Sequence, residues 1–211
     1  MLLEKLKSLS LVDLLALVTP FIIIMGLINK IGIYSHNDVN AIWFISMFTP
    51  VDFMISDLMI YSYFALALIY LEKIILDKSE NQEKMLLKSN VMLFSAFMGM
   101  SIFKFFSGES ISPIILFYSY CFLSLNGFGI LIISKSMTKL GGLALILLVP
   151  FISGYNHANK ISNKGLPIVE LNKGENWYLL DKHSDKLILI NSSTRKNEFK
   201  VVEMNEVNLL K

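Results

Sequence analysis

The sequence predicts a membrane all-α bundle of four transmembrane helices, followed by a small antiparallel β module at the C-terminus. Two apolar runs, Val91–Ser107 and Ile114–Ser134, flank a short break, and the pattern recurs at Leu11–Ile28 and Val51–Leu71. Runs of about 17–25 apolar residues match the hydrocarbon thickness of a bilayer. Composition agrees, since 54% of the residues are hydrophobic and only 17% are charged, against roughly a quarter charged in soluble domains.

Capping residues place the helix starts. Thr49-Pro50-Val51-Asp52 supplies a capping hydroxyl, a proline at the first helical position and an acid in the first turn, as helix N-termini favour. Ser112-Pro113 repeats this device, and Ser10 with Asp13 resembles a capping box. Asp13 and Asp52 are therefore interpreted as first-turn acids favoured by the helix dipole. The four predicted spans cover residues 10–31, 50–71, 90–107 and 113–134.

Two apolar segments are shorter than a usual span. Ala41–Phe48, which contains Trp43, predicts an interfacial segment. Leu140–Ile152 opens with two glycines and contains Pro150, so it is expected to be re-entrant, interfacial or a short fifth span. The helical bundle is predicted to occupy residues 1–155, with a kink at Pro20.

Residues 156–211 change in character and predict the β module. Short β-prone runs alternate with turn-forming polar residues, and these runs are Ile168–Leu171, Trp177–Leu180, Leu187–Ile190 and Phe199–Val202. A unit of about 45 residues buries little core by itself. We therefore expect it to dock on the helices, on a neighbouring subunit or on another protein.

Lysines predict the orientation. Eight lysines lie before span one, between spans two and three, and after span four: Lys5, Lys7, Lys73, Lys78, Lys84, Lys88, Lys135 and Lys139. The opposite side has only Lys30, plus Lys104 at the end of span three. The positive-inside rule then predicts a multi-pass membrane protein with both termini in the cytoplasm.

Asp57 and Lys104 are the candidate intramembrane ion pair. Asp57 lies roughly 10 Å inside span two at 1.5 Å per residue, and Lys104 lies at a similar depth on the antiparallel span three. A charge at that depth requires a partner or hydration. The alternative is that Lys104 extends to the lipid headgroups.

Small and amide side chains in spans three and four are candidates for close helix packing. They are Ser95, Gly99, Asn126, Gly127 and Gly129. Asn126 is expected to donate a hydrogen bond across the interface.

Signatures of soluble enzymes are absent. His36, His157 and His183 form no His-x-x-x-His pair, and neither a Gly-x-Ser-x-Gly nor a Walker motif occurs. The single cysteine, Cys121, excludes an intramolecular disulfide and a cysteine-rich metal site. A formal net charge of +2 with one arginine, Arg195, disfavours direct nucleic-acid binding. No catalytic residue, metal or cofactor is predicted.

The layout of four spans, a charged Glu72–Ser89 loop and a β tail from Leu166 to Val202 resembles the KwaA family, the membrane subunit of the Kiwa anti-phage defence system. That resemblance implies a homo-oligomeric inner-membrane sensor of phage attack. It also implies a cytosolic, DNA-binding partner of the KwaB type.

The predicted function is accordingly an oligomeric membrane scaffold or sensor that recruits a soluble cytoplasmic protein. The candidate docking residues are Trp177, Tyr178, Lys78 and Lys84. One alternative is an ion-conducting effector that aligns Asp57, Asn126 and Lys104 around a pore. Another is a toxin-immunity protein whose specificity lies in its outer loops, Gly32–Met47 and Gly108–Ser112.

Overall fold

The computed structural model describes residues 10–56, 58–76, 81–134, 138–161, 165–171, 176–191 and 197–207. By contact the chain divides into two compact units. The first is Asp57–Val149, and the second combines Ser10–Ser56 with Pro150–Lys211. The fold is mostly helical, with a small curled antiparallel sheet at the C-terminus as the sequence predicts.

Six α-helices lie within the described residues: α1 Leu11–Tyr34, α2 Pro50–Met54, α3 Leu58–Tyr70, α4 Gln82–Phe106, α5 Ser112–Ile133 and α6 Lys139–Asn159. A 3-10 helix, Ile42–Met47, lies between α1 and α2, and α3 continues as a π-helical turn, Leu71–Leu76. A second 3-10 helix, Met204–Glu206, follows the sheet.

Local capping starts α1 where the sequence predicts, whereas α4 starts at Gln82, before the predicted residue 90, and Ser112 is the first residue of α5 and not its cap. The Ser10 hydroxyl accepts a hydrogen bond from the backbone N–H of Asp13 at 3.2 Å, and the Asn81 side chain accepts one from the N–H of Lys84 at 3.0 Å. These bonds satisfy N–H groups that have no partner inside the helix. The predicted second span differs in detail, because the chain forms the short helix α2 and then starts again at Leu58.

Three helices are long and apolar enough to cross a membrane: α4, α5 and α6. The third includes the predicted segment 140–152 and extends it to 21 residues. Pro150 lies inside α6, and its carbonyl accepts a hydrogen bond from Asn29 Nδ2 at 3.2 Å.

The sheet contains β1 Ile168–Glu170, β2 Asn176–His183, β3 Lys186–Asn191 and β4 Glu198–Glu203, hydrogen-bonded in chain order. All three pairings are antiparallel, and a register shift interrupts β2 between Leu179 and Asp181. Ser184 begins the β2–β3 turn with a φ of 53°, in the left-handed region that favours glycine.

In the first unit, α4, α5 and the first half of α6 pack closely. A Cβ on Gly127 of α5 would lie 2.6 Å from Ile146 Cγ1 and 3.0 Å from the Gly142 carbonyl. Asn126 and Asn90 exchange two hydrogen bonds of 2.7 and 2.8 Å between α5 and α4. The α5–α6 contact is therefore close because Gly127 has no side chain, and the α4–α5 contact is held by the paired amides of Asn90 and Asn126.

In the second unit the sheet buries both faces. Leu180, Ile188 and Ile190 pack with Tyr34 and Phe44 in one cluster. Trp177, Leu187, Leu189, Val169 and Val202 form a separate cluster. The predicted boundary after residue 155 thus differs from the observed division, because the sheet shares its core with α1 and the segment after it.

Candidate functional site: a buried charge clamp under the sheet

The principal polar feature of the second unit is the ion pair between Lys30 of α1 and Asp181 of β2. Lys30 Nζ lies 2.5 and 2.7 Å from the two carboxylate oxygens, and the two side chains are only 4% and 11% exposed. Burial of a lone charge costs several kcal/mol, so each partner depends on the other. The pair joins segments 151 residues apart in sequence.

Two aromatic residues complete the surroundings of this pair. The Tyr34 hydroxyl, one helical turn after Lys30, donates to Asp181 Oδ2 at 3.0 Å. The Lys30 ammonium lies 4.6 Å from the centre of the Phe48 ring, within range of a cation–π interaction. Asp181 Oδ1 also accepts from the N–H of Lys182 at 2.8 Å. The carboxylate is therefore saturated with donors.

A second carboxylate, Asp52 of α2, bonds to the β2–β3 turn. Its Oδ2 accepts from the Thr49 hydroxyl at 2.6 Å and from the Thr49 N–H at 2.8 Å. The same oxygen accepts from His183 Nδ1 at 2.9 Å, and Oδ1 accepts from the Ser184 N–H at 3.2 Å. The predicted first-turn acid is thus also a tertiary contact. The Ser184 bond falls at the residue with positive φ and helps to hold that conformation.

We call the two carboxylates and their partners the charge clamp: Lys30, Tyr34, Thr49, Asp52, Asp181, His183 and Ser184. The His157 Nε2 of α6 supports it by donating to the Leu180 carbonyl at 3.1 Å. Asn197 Nδ2 donates to the Asp38 carbonyl at 2.5 Å. Together these bonds attach the sheet to α1, α2, α6 and the turn after α1.

Asp52 gives the clamp a defined pH dependence. Burial acts to raise the pKa of Asp52, but bonds from Thr49, Ser184 and His183 outweigh burial and lower the pKa from 3.8 to about 2. Because the folded-state value lies below the unfolded one, the stabilisation is fully present above about pH 4 and is lost as pH falls towards 2. The shift corresponds to about 2 kcal/mol.

We therefore expect the unfolding temperature of the wild-type protein to fall more steeply between pH 4 and 2 than that of the Asp52→Asn variant. Thermal unfolding of the detergent-solubilised proteins across this range measures the difference. The amide keeps the shape of the side chain but removes its titration. Parallel curves for the two proteins would show that Asp52 contributes no pH-dependent stability.

The clamp holds the sheet to the helices of its unit. Its carboxylates are occupied by donors from the chain itself. Within the described ranges, no group of three or more His, Cys, Asp or Glu side chains is placed to hold a metal ion. A sheet of this size has little stability by itself, and these bonds attach it to the helices of the second unit.

The predicted Asp57–Lys104 pair stays a prediction, because Asp57 lies outside the described residues. Lys104 forms an ion pair with Glu109 in the α4–α5 connection. Its side chain is one-third exposed.

The predicted packing residues separate into two groups. Asn126, Gly127 and Gly129 of α5 contact Asn90, Ile146 and Leu86 respectively. Ser95 and Gly99 of α4 are exposed, and a Cβ on Gly99 would meet nothing within 4 Å.

The predicted docking residues lie in different environments. Trp177 is buried, at 5% exposure, while Tyr178 is half-buried and packs against the cluster under the sheet. Lys84 is exposed in the first turn of α4. Lys78 lies outside the described residues.

Sequence reasoning missed the clamp, although one signal was present. Lys30 is an ionisable residue near the end of an apolar run, and such residues call for a partner. Spacing along α1 places Tyr34 beside it, four residues later. Nothing in local sequence points to Asp181, since that contact depends on how the sheet docks.

Comparison of the chain with protein-family models, with curated proteins and with solved structures finds no match.

Proposed function

We propose that this protein is a multi-span membrane sensor and scaffold. In this proposal the clamped sheet is the receiving surface outside the cytoplasm, and the cytoplasmic connections recruit a soluble protein. The observation that carries the proposal is the clamp, which joins the sheet to α1 at the C-terminal end of that helix.

The direction of two helices supports the proposed side of the sheet. Gly154 of α6 packs against Asn29 and Ile33 of α1, and Gly32 of α1 packs against Phe151 and Tyr155. Asn29 donates to the Pro150 carbonyl, and the ring of His36, just after α1, lies 4.3 Å from that of Tyr155. Higher numbers on one helix therefore match higher numbers on the other, so α1 and α6 run parallel. If both helices cross the membrane, the start of α1 and the end of α6, which leads into the sheet, lie on opposite sides. The chain then crosses the membrane an odd number of times between these two points. Counting α1, α3, α4, α5 and α6 gives five.

Five crossings place the N-terminus and the sheet on opposite sides. The eight lysines that precede α1, lie from Lys73 to Lys88, or occupy positions 135 and 139 then face the cytoplasm together. Counted within about 15–20 residues of a helix end, the opposite side holds five lysines: Lys30, Lys104, Lys160, Lys164 and Lys173. The excess of lysines on the cytoplasmic side is smaller than in the four-span arrangement, but that side still has more of them. This topology replaces the four-span arrangement with a cytoplasmic C-terminus that the lysines alone predict.

The segment after α1 has the composition of a membrane boundary. Ile42, Trp43 and Met47 of the 3-10 helix are exposed by 57%, 61% and 40%, whereas Phe44 and Phe48 are buried under the sheet. Tryptophan beside exposed aliphatic side chains is typical of the headgroup region. The segment therefore supports a membrane surface next to the clamp.

A sensor needs its receiving surface to be coupled to its membrane helices. A loosely tethered sheet of this size would move independently of them, because it buries little core alone. The buried ion pair and the Asp52 bonds make α1, α2 and the sheet one mechanical unit. On the other side, the exposed Lys84 and Lys88 of α4 provide a basic surface for an acidic soluble partner.

Reporter fusions test the topology. We expect alkaline phosphatase fused after Lys211 to be active and a fluorescent protein at the same position to be dark, because the first folds only outside the cytoplasm. Fusions truncated after Lys135 provide the matched control and should give the reverse pattern. Fluorescence at both positions would contradict five crossings and restore the cytoplasmic C-terminus.

Recruitment is tested separately by affinity purification from native membranes. The Lys84→Glu, Lys88→Glu double variant should lose a cytoplasmic partner that the wild type retains. Lys186→Glu, an exposed lysine of the sheet, should retain it. Equal recovery with all three proteins would exclude the α4 surface as the recruitment site.

A further inference from the structure

The first unit contains an apolar cavity between α3, α4 and α5, with a volume of about 300 Å³. Its walls include Leu66, Ala67, Met92, Phe117, Cys121 and Leu125. For scale, an engineered apolar cavity of about 150 Å³ stays dry and binds benzene. The cavity is thus large enough for an apolar ligand.

We infer that this cavity binds one acyl chain of a lipid from the cytoplasmic leaflet. The inference rests on the proposed membrane location, because only there is such a chain present at high concentration beside these helices.

The polar atoms at one end of the cavity already have hydrogen-bond partners in the protein, so the cavity does not favour a polar ligand. Tyr70 and Ser89 lie 2.9 Å apart, oxygen to oxygen, and the Ser89 hydroxyl donates to the Met85 carbonyl at 2.9 Å. Ser89 therefore accepts a hydrogen bond from the Tyr70 hydroxyl, and neither hydroxyl requires a ligand as its partner. The remaining walls are mainly aliphatic and aromatic carbon. A ligand gains affinity here from buried apolar area alone.

The shape favours a chain that lies alongside the helices. Lining residues on α3 run from Tyr63 to Tyr70, and those on α4 run from Ser89 to Ala96, which is about 10 Å along each axis. A side chain from a second copy would enter across the helices and leave most of that length empty.

The mouth of the cavity opens on the apolar exterior of the unit. Leu66 and Met92 line the cavity and are nevertheless 64% and 73% exposed. A lipid chain can therefore enter sideways without leaving an apolar environment. Tyr70 and Ser89 lie near the α3–α4 connection, which the proposed topology places at the cytoplasmic face, so the donor is a lipid of that leaflet.

Photo-crosslinking tests the site in the full-length protein. The protein is reconstituted in phosphatidylcholine vesicles that carry a diazirine within the acyl chain, irradiated, and mapped by peptide mass spectrometry. We expect crosslinks on the α5 segment that contains Cys121 and Leu125. Ala67→Leu, which fills the cavity at a buried position, should reduce these crosslinks at least fivefold. Ala65→Leu makes the same change at an exposed position of α3 and should leave them unchanged.

Equal crosslinking of the two variants would overturn the site, since only lipid at the general surface would then be detected. Linkage of two copies through Cys121 by a bis-maleimide, without lipid crosslinks on α5, would also overturn it and assign the cavity to a second copy. Ala96→Phe, at another lining position, provides an independent variant if Ala67→Leu does not assemble. Extraction of the protein from membranes by alkaline carbonate would instead overturn the proposed membrane location.

Discussion

Replacing Lys30 by methionine is expected to destabilise the second unit by about 3–5 kcal/mol, because it leaves the Asp181 carboxylate buried without its cation. The Tyr34 hydroxyl bond remains but cannot neutralise the charge. Thermal or denaturant unfolding of the solubilised protein measures the loss. Limited proteolysis after Asn159 reports whether the sheet has detached.

Lys104→Met is the matched control for Lys30→Met. Its pair with Glu109 is 33% and 57% exposed, and exposed pairs contribute about 0–1 kcal/mol. A double variant, Lys30→Met with Asp181→Leu, should lose less than the sum of the two single losses, since neither charge is then left unpaired. Two results would contradict this prediction: an equal loss of stability in the Lys30 and Lys104 variants, or additive losses in the Lys30 and Asp181 variants. Either would show that the Lys30–Asp181 pair does not stabilise the second unit.

Replacing Gly154 by alanine is expected to separate α1 from α6. The added Cβ would lie 2.0 Å from the Asn29 carbonyl oxygen and 3.1 Å from the Ile33 nitrogen, and backbone atoms cannot rotate away as a side chain can. Overpacking of this kind costs about 1–3 kcal/mol or more. Unfolding temperature, together with loss of the sheet from its protease-resistant fragment, measures the effect.

Gly99→Ala supplies the control for this substitution. Nothing lies within 4 Å of a Cβ at that position, and alanine favours a helix by up to about 1 kcal/mol over glycine. The variant should therefore be as stable as the wild type or slightly more so. Comparable destabilisation at both positions would mean that intrinsic helix effects, and not the α1–α6 contact, explain the loss at Gly154.

The local elements follow closely from the sequence. Each predicted β run coincides with a strand except at its ends, because alternation and turn chemistry act over a few residues. Ser10 caps α1 as predicted. The largest differences are at the start of α4, which lies at Gln82 and not at residue 90, and at the end of α6, which lies at Asn159 and not at residue 152. Helix α1 also continues past residue 31 to Tyr34, whose hydroxyl bonds to Asp181.

Less of the candidate site than of the local elements could be predicted from the sequence. Trp177 and Tyr178, the predicted docking residues of the sheet, are neighbours in β2 and enter different apolar clusters. Asp52 was interpreted as a helix-capping acid, which describes its bonds to Thr49 but not those to His183 and Ser184. Capping is local, whereas the partners from the sheet lie more than 130 residues away.

The sequence by itself determined that the chain is mostly helical and that a small antiparallel sheet follows. It predicted four spans, whereas three of the described helices, α4, α5 and α6, are long and apolar enough to cross a membrane. Hydrophobic periodicity, capping and turn residues contain that information because each acts within a few residues. Tertiary structure decided which charges meet, how α1 and α6 run relative to each other, and where the sheet attaches. The physical reason is that a buried charge such as Lys30 requires a partner, while close backbone contact at Gly154 requires a particular neighbour, and both are supplied by distant parts of the chain.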